Sequence, residues 1–118
     1  MQLLTFTYPD IAPCNGDCSK VDKNTLRWTK IAEEGLISGP SNTKGFWAAD
    51  KLRQNGGWNT AIIPSSIAPG NYVLRNEIIA LHRAHINEPE FYMQCGNIDV
   101  TGSGSNKLAN SGVVFGPK

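Results

Sequence analysis

At 118 residues the chain is long enough for one domain with a single modest core, burying about 65% of its extended-chain surface on folding. Eleven basic residues against ten acidic ones, with no basic run, exclude the electrostatic footprint of a binder of nucleic acid or of a charged membrane surface, and favour a neutral substrate or a protein partner. A charged fraction of 18% with 12 glycines and 7 prolines points to many turns and an all-β domain.

The opening residues 1–13, MQLLTFTYPDIAP, have no positive n-region and only a brief apolar run, so they do not read as a signal peptide. No apolar run reaches the length of a membrane span. Residues 3–8 carry strand propensity with Leu4, Phe6 and Tyr8 on one face, and Pro9-Asp10 reads as the turn that ends the strand. In PCNGDCS, a turn through Asn15 and Gly16 could bring Cys14 and Cys18 to bridging distance. Closing so small a loop would stabilise by about 2 kcal/mol in the chain-entropy view. Cys95 is then left over, as a free thiol, an intermolecular bridge, or one half of a pair whose other half lies outside this chain.

Further along, Leu26, Trp28 and Lys30 alternate against Arg27, Thr29 and Ile31, which predicts a half-exposed strand. Residues 35–43 read as a loop. In the next stretch Trp47, Asp50 and Leu52 fit a helix of one or two turns ended by Asn55-Gly56-Gly57. Residues 58–63 predict a short strand closed by Pro64, and SSIAPGN a turn into a long strand at Tyr72. Strand, turn and strand recur without a long helical period, the pattern of a β-sandwich over residues 1–105. Residues 106–118 belong to a Gly, Ser and Asn-rich loop or tail.

Residues 70–100 read as two long strands joined by a charged loop, and they hold both histidines. Alternation sets Tyr72, Leu74, Asn76, Ile78, Ala80 and His82 on one face, and Val73, Arg75, Glu77, Ile79 and Leu81 on the other. Arg75 and Glu77, neighbours among aliphatic residues, read as a structural ion pair. Glu90 and Tyr92 share a face, and a connection over residues 83–89 brings His82 near them. Imidazole, carboxylate and phenol then gather at one end of a sheet, for which a hydrogen-bonded polar rim is the favoured reading on residue types alone. On a strand His82 and His85 point to opposite faces, so these residues by themselves fall short of a metal site. No nucleophile elbow, Walker loop, HExxH or dinucleotide fingerprint is present, and Ser65-Ser66 reads as a turn. Trp47 and Trp58 read as core more readily than as sugar-stacking platforms.

The ordered blocks PCNGDCSKVD, GFWAADKLRQNGGWNTAIIPSSIAPGNYVLRNEIIALHRA and FYMQCGNIDVTGSGS resemble the fungal lytic polysaccharide monooxygenases of auxiliary-activity family 9, over residues 3–105. The resemblance implies an immunoglobulin-like or fibronectin-III-like β-sandwich with short helical or loop insertions, here incomplete through missing early strands at a truncated amino terminus. It also implies a secreted, extracellular, copper-dependent oxidoreductase that cleaves cellulose or related β-glucans with an external electron donor. Position by position, Tyr92 matches the tyrosine axial to copper, and His82 the histidine that hydrogen-bonds bound oxygen species. Glu90 stands where the family has a glutamine making that contact, and Asn76 where it has a histidine. Cys14 and Cys18 match a family disulfide, and Cys95 a cysteine whose partner lies far upstream. The two brace histidines that hold copper in the family have no counterpart in this sequence. The resemblance therefore implies weak copper binding and no activity for these 118 residues alone, with a non-catalytic carbohydrate-binding or structural β-sandwich as the alternative.

Overall fold

The computed structural model describes residues 5–42, 44–81, 84–88, 90–108 and 112–114. Among them the chain is mostly strand in antiparallel sheets, so the fold class is all-β, as the composition predicts. Strand β1 spans Thr5–Pro13, β2 Arg27–Lys30, β5 Gly70–Ala80, β6 Glu90–Val100 and β7 Val113–Val114. These form one sheet in the order β6-β5-β1-β2-β7. Between β2 and β5 lie β3 (Leu36–Ser38) and β4 (Phe46–Trp47), paired as a small second sheet, and helix α1 (Ala48–Gln54). No helix among the described residues is long and apolar enough to cross a membrane.

Four departures from the sequence reading have physical causes. Pro9-Asp10 does not end the first strand: β1 runs through both, and Asp10 and Ile11 sit opposite Lys30 and Thr29 of β2. Proline cannot donate to a ladder and is tolerated in a sheet interior at an irregularity. One is present here. From Thr7, which bridges to Glu34, three steps along β1 to Asp10 match four steps back to Lys30. Within the expected loop 35–43, Leu36–Ser38 pairs with Phe46–Trp47 across a bulge, and the turn is tight enough that a Cβ on Gly45 would lie 2.2 Å from the Pro40 carbonyl oxygen. Residues 58–63 form no strand, and Trp58 is 76% exposed. Inside the expected tail, Asn106 bridges to Ile67, Leu108 is buried and β7 pairs with β2.

The residues divide into two compact units. One comprises Asp10–Ile31, Ile62–Arg75 and Cys95–Lys118. Its two apolar clusters follow the alternation of β5: Tyr72 packs with Ile11, Ile67, Val100 and Leu108, and the next residue, Val73, packs with Ala12, Cys14, Leu26 and Trp28. The Tyr72 hydroxyl donates 2.6 Å to the Ala68 carbonyl four residues upstream, as in the tyrosine corner of immunoglobulin-like sandwiches, and burial pushes its pKa up. Cys14 and Cys18 are joined by a disulfide, with the turn made by Asn15 at φ 53° and Gly16 at φ 144°.

On the Val73 side Arg75 donates to one Asp10 carboxylate oxygen, from Nε at 3.2 Å and Nη2 at 3.0 Å. The guanidinium lies 3.9 Å from the Trp28 ring centroid. Both charged residues are buried. The sequence reading paired Arg75 with Glu77; the buried carboxylate seen on the guanidinium is that of Asp10, from the neighbouring strand β1.

The other unit holds the described residues of Met1–Pro9, Ala32–Ala61 and Asn76–Gln94. Phe6 meets Trp47 edge to face at 6.2 Å, the Trp47 indole N–H donates 2.9 Å to the Asn42 carbonyl, and the buried Thr5 hydroxyl accepts from the Ala49 amide at 2.9 Å. Asp50 turns back to accept from the Trp47 amide at 2.9 Å, and Gly56 and Gly57 with φ of 69° and 85° end α1, as the sequence predicts.

Asp10→Ala removes the buried carboxylate from the Arg75 guanidinium and is expected to cost about 3–5 kcal/mol in urea unfolding, whereas the double change Asp10→Leu/Arg75→Met recovers most of that loss. Equal losses in both variants would show that the charges are not what the site depends on.

Candidate functional site

Strand β6 is the edge of the five-stranded sheet, with β5 on its inner side. Among the described residues β6 has a ladder partner on one flank only, and it exposes Phe91 through Asn97. Its first residue, Glu90, is half-buried, and Tyr92, two places on and on the same face, is 53% exposed. The Tyr92 hydroxyl donates to Glu90 Oε2 in a short hydrogen bond. That bond, followed by partial burial and the nearby negative charge, pushes the Tyr92 pKa above the ordinary phenol range. The structure thus brings together two of the three groups expected at this end of the sheet. His82 lies outside the described residues. His85 does not sit on a strand: it is exposed in a single 3-10 turn, Ala84–Ile86.

Behind this edge, the Asn76 side-chain oxygen accepts from the Thr7 hydroxyl at 3.3 Å and from the Asn59 amide at 3.0 Å. An asparagine therefore anchors β5 to β1 and to the segment after α1. Sequence reasoning missed Thr7, Asn59 and above all Asp10, read as a turn residue. One signal for Asp10 existed: an arginine among aliphatic residues requires a carboxylate, and three carboxylates precede Glu33 in the chain.

The donors fit a copper site poorly by themselves. Among the described residues no three His, Cys, Asp or Glu side chains are grouped to hold a metal ion. The Tyr92 phenol is neutral and committed to Glu90, and Cys95 is an exposed free thiol on the same strand. Chemically, the Glu90 carboxylate accepts the Tyr92 hydroxyl hydrogen bond and so favours the protonated phenol.

A profile of Auxiliary Activity family 9 (formerly GH61) matches residues 5–117. The chain is 57% identical over 96 residues to AA9 family lytic polysaccharide monooxygenase B of Aspergillus fumigatus, covering 80% of this chain and 38% of that one. It is 54% identical over 103 residues to AA9 family lytic polysaccharide monooxygenase A of Thermoascus aurantiacus, covering 86% and 44%. The extended catalytic domain of H. jecorina LPMO9A superposes with a TM-score of 0.84 at 47% identity, over 97% of this chain and 45% of that one. The immunoglobulin-like β-sandwich class of such structures agrees with the fold expected from the sequence. The chain spans about two-fifths of the length of the curated relatives it matches.

Glu90→Gln is expected to bring the Tyr92 pKa back down toward the ordinary phenol range, read by NMR titration of the Tyr92 ring. Because the folded-state pKa is raised, the stability linked to this group is complete below the ordinary phenol range and is lost as pH rises through the raised value. An unchanged ring titration in the variant would remove Glu90 as the cause.

Proposed function

This chain belongs to Auxiliary Activity family 9, and from that membership we propose that it forms the phenol and carboxylate side of a copper site in a secreted monooxygenase acting on cellulose or a related β-glucan, with electrons from an external donor. The observation that carries the reading is the Tyr92–Glu90 pair at the outer end of β6. There Tyr92 would offer the copper a neutral oxygen donor, and Glu90 and His82 would supply hydrogen-bonding groups to its surroundings. A near-neutral surface suits an uncharged polysaccharide. The Cys14–Cys18 disulfide suits an oxidising, extracellular compartment.

The same chemistry limits what the 118 residues do alone. Their two histidines and one committed phenol do not supply the two or three well-placed nitrogen donors that hold a copper ion, and no oxidative step is assigned to them. The chain by itself is a weak copper binder without monooxygenase activity.

Calorimetry with copper(II) and product analysis on cellulose with ascorbate test this together. The expected outcome is no stoichiometric copper binding below about 1 μM, equivalent to about −8 kcal/mol, and no oxidised oligosaccharides. Tight one-to-one binding would overturn the assignment and place the ligands among His82, His85, Tyr92 and the amino terminus. Retention on cellulose without either property would favour a non-catalytic glucan-binding module.

A further inference from the structure

The sequence contains two Asn-Gly steps, Asn15-Gly16 inside the Cys14–Cys18 loop and Asn55-Gly56 at the end of α1, and the fold treats them differently. An asparagine followed by glycine can cyclise, because a glycine nitrogen has no side chain beside it to block its approach to the asparagine Cγ. Two groups decide the outcome. The glycine N–H must be free to lose its proton, and the asparagine side-chain amide must be free to rotate and to release ammonia.

At Asn55 both groups are engaged. The Gly56 N–H donates 3.1 Å to the Arg53 carbonyl, and Asn55 Nδ2 donates 2.8 Å to the Trp58 carbonyl. The Asn55 N–H also donates 3.0 Å to the Lys51 carbonyl, and its carbonyl accepts from the Trp58 N–H at 3.3 Å, so the step is tied on both sides. At Asn15 both groups are free. Among the described residues no hydrogen bond reaches the Gly16 N–H or the Asn15 side chain, and both residues are exposed. Apart from its chain neighbours, no atom lies within 4 Å of where a Gly16 Cβ would stand, which leaves room for water and base. Asn71 Nδ2 donates 3.2 Å to the Gly16 carbonyl, an atom that takes no part in cyclisation. Asn15 itself sits at φ 53°, a left-handed conformation uncommon for residues other than glycine, so rotating out of it forfeits little.

We propose that Asn15 is a site of spontaneous covalent modification, at which Gly16 attacks the asparagine side chain and the loop acquires an aspartate or isoaspartate, while the fold protects Asn55. A base in solution takes the Gly16 N–H proton, the nitrogen bonds to Asn15 Cγ, and the Cγ–Nδ2 bond breaks to release ammonia and leave a cyclic imide. Water then opens the imide. Opening at Cγ gives aspartate, and opening at the main-chain carbonyl gives isoaspartate, which lengthens the backbone by one methylene before Gly16. Either product sets a carboxylate at the cavity of about 290 Å³ that Asn15 shares with Asn71 and Lys107. The reaction needs only water and base, and it stands apart from the copper chemistry of the family.

The test is to hold the folded chain, disulfide intact, in mildly alkaline buffer and to follow both steps by tryptic mass mapping with a zero-time sample subtracted. Trypsin places them in separate peptides, residues 1–20 and 54–75, and fragmentation locates the amide-to-acid mass change. Conversion at Asn15 is expected to outpace conversion at Asn55 by about tenfold, the factor set by opening two hydrogen bonds of ordinary net strength. Part of the converted 1–20 peptide should accept a labelled methyl group from an isoaspartate methyltransferase. In urea with the disulfide reduced, the two rates should converge. Asn15→Gln should abolish conversion at residue 15 and leave Asn55 unchanged. Equal rates in the folded chain, a faster Asn55, or no conversion at Asn15 while both steps convert in urea overturns the proposal. A tenfold difference that persists in urea overturns it too, since the difference would then belong to the local sequence and not to the fold.

Discussion

The buried contact among Asp10, Arg75 and Trp28 fixes how the strands of this sheet are threaded. A carboxylate and a guanidinium removed from water are tolerable when they are paired and hydrogen-bonded, and here the arginine gives two hydrogen bonds to one carboxylate oxygen while its flat face rests on an indole. The three residues come from β1, β5 and β2, the middle of the strand order, so any register that separates them breaks a buried ion pair. The same contact explains why β1 continues past Pro9. The irregularity in pairing beside the proline accommodates its missing donor, and the next residue is held by the arginine.

Away from that centre, β6 has a partner on one flank only among the described residues, and it exposes Phe91 through Asn97. Function draws on this position. An edge strand can carry a phenol and a carboxylate outward without leaving either buried and unsatisfied, and the hydrogen bond from Tyr92 to Glu90 favours the protonated phenol. Exposure also has a cost, visible in Phe91, Met93, Trp58 and Ile62, apolar side chains that face solvent. The polar end of β6 and the apolar surface at Trp58 thus bear on different questions, chemistry in the first case and packing in the second.

The sequence by itself determined the all-β class, the strand at Trp28, the short helix and its glycine stop, the long strands of residues 70–100, and the turn that lets Cys14 reach Cys18. Each rests on short-range patterns of alternation, helix termination and turn chemistry, which act over a few residues and survive in any context. It also brought Glu90 and Tyr92 together, since two residues apart on a strand is a statement about one face. Only the tertiary structure decided that Arg75 takes Asp10, that β7 joins β2 from a tail rich in glycine and serine, and that residues 58–63 form no ladder. Those outcomes depend on which distant segments lie side by side, a matter of long-range pairing that no local pattern contains.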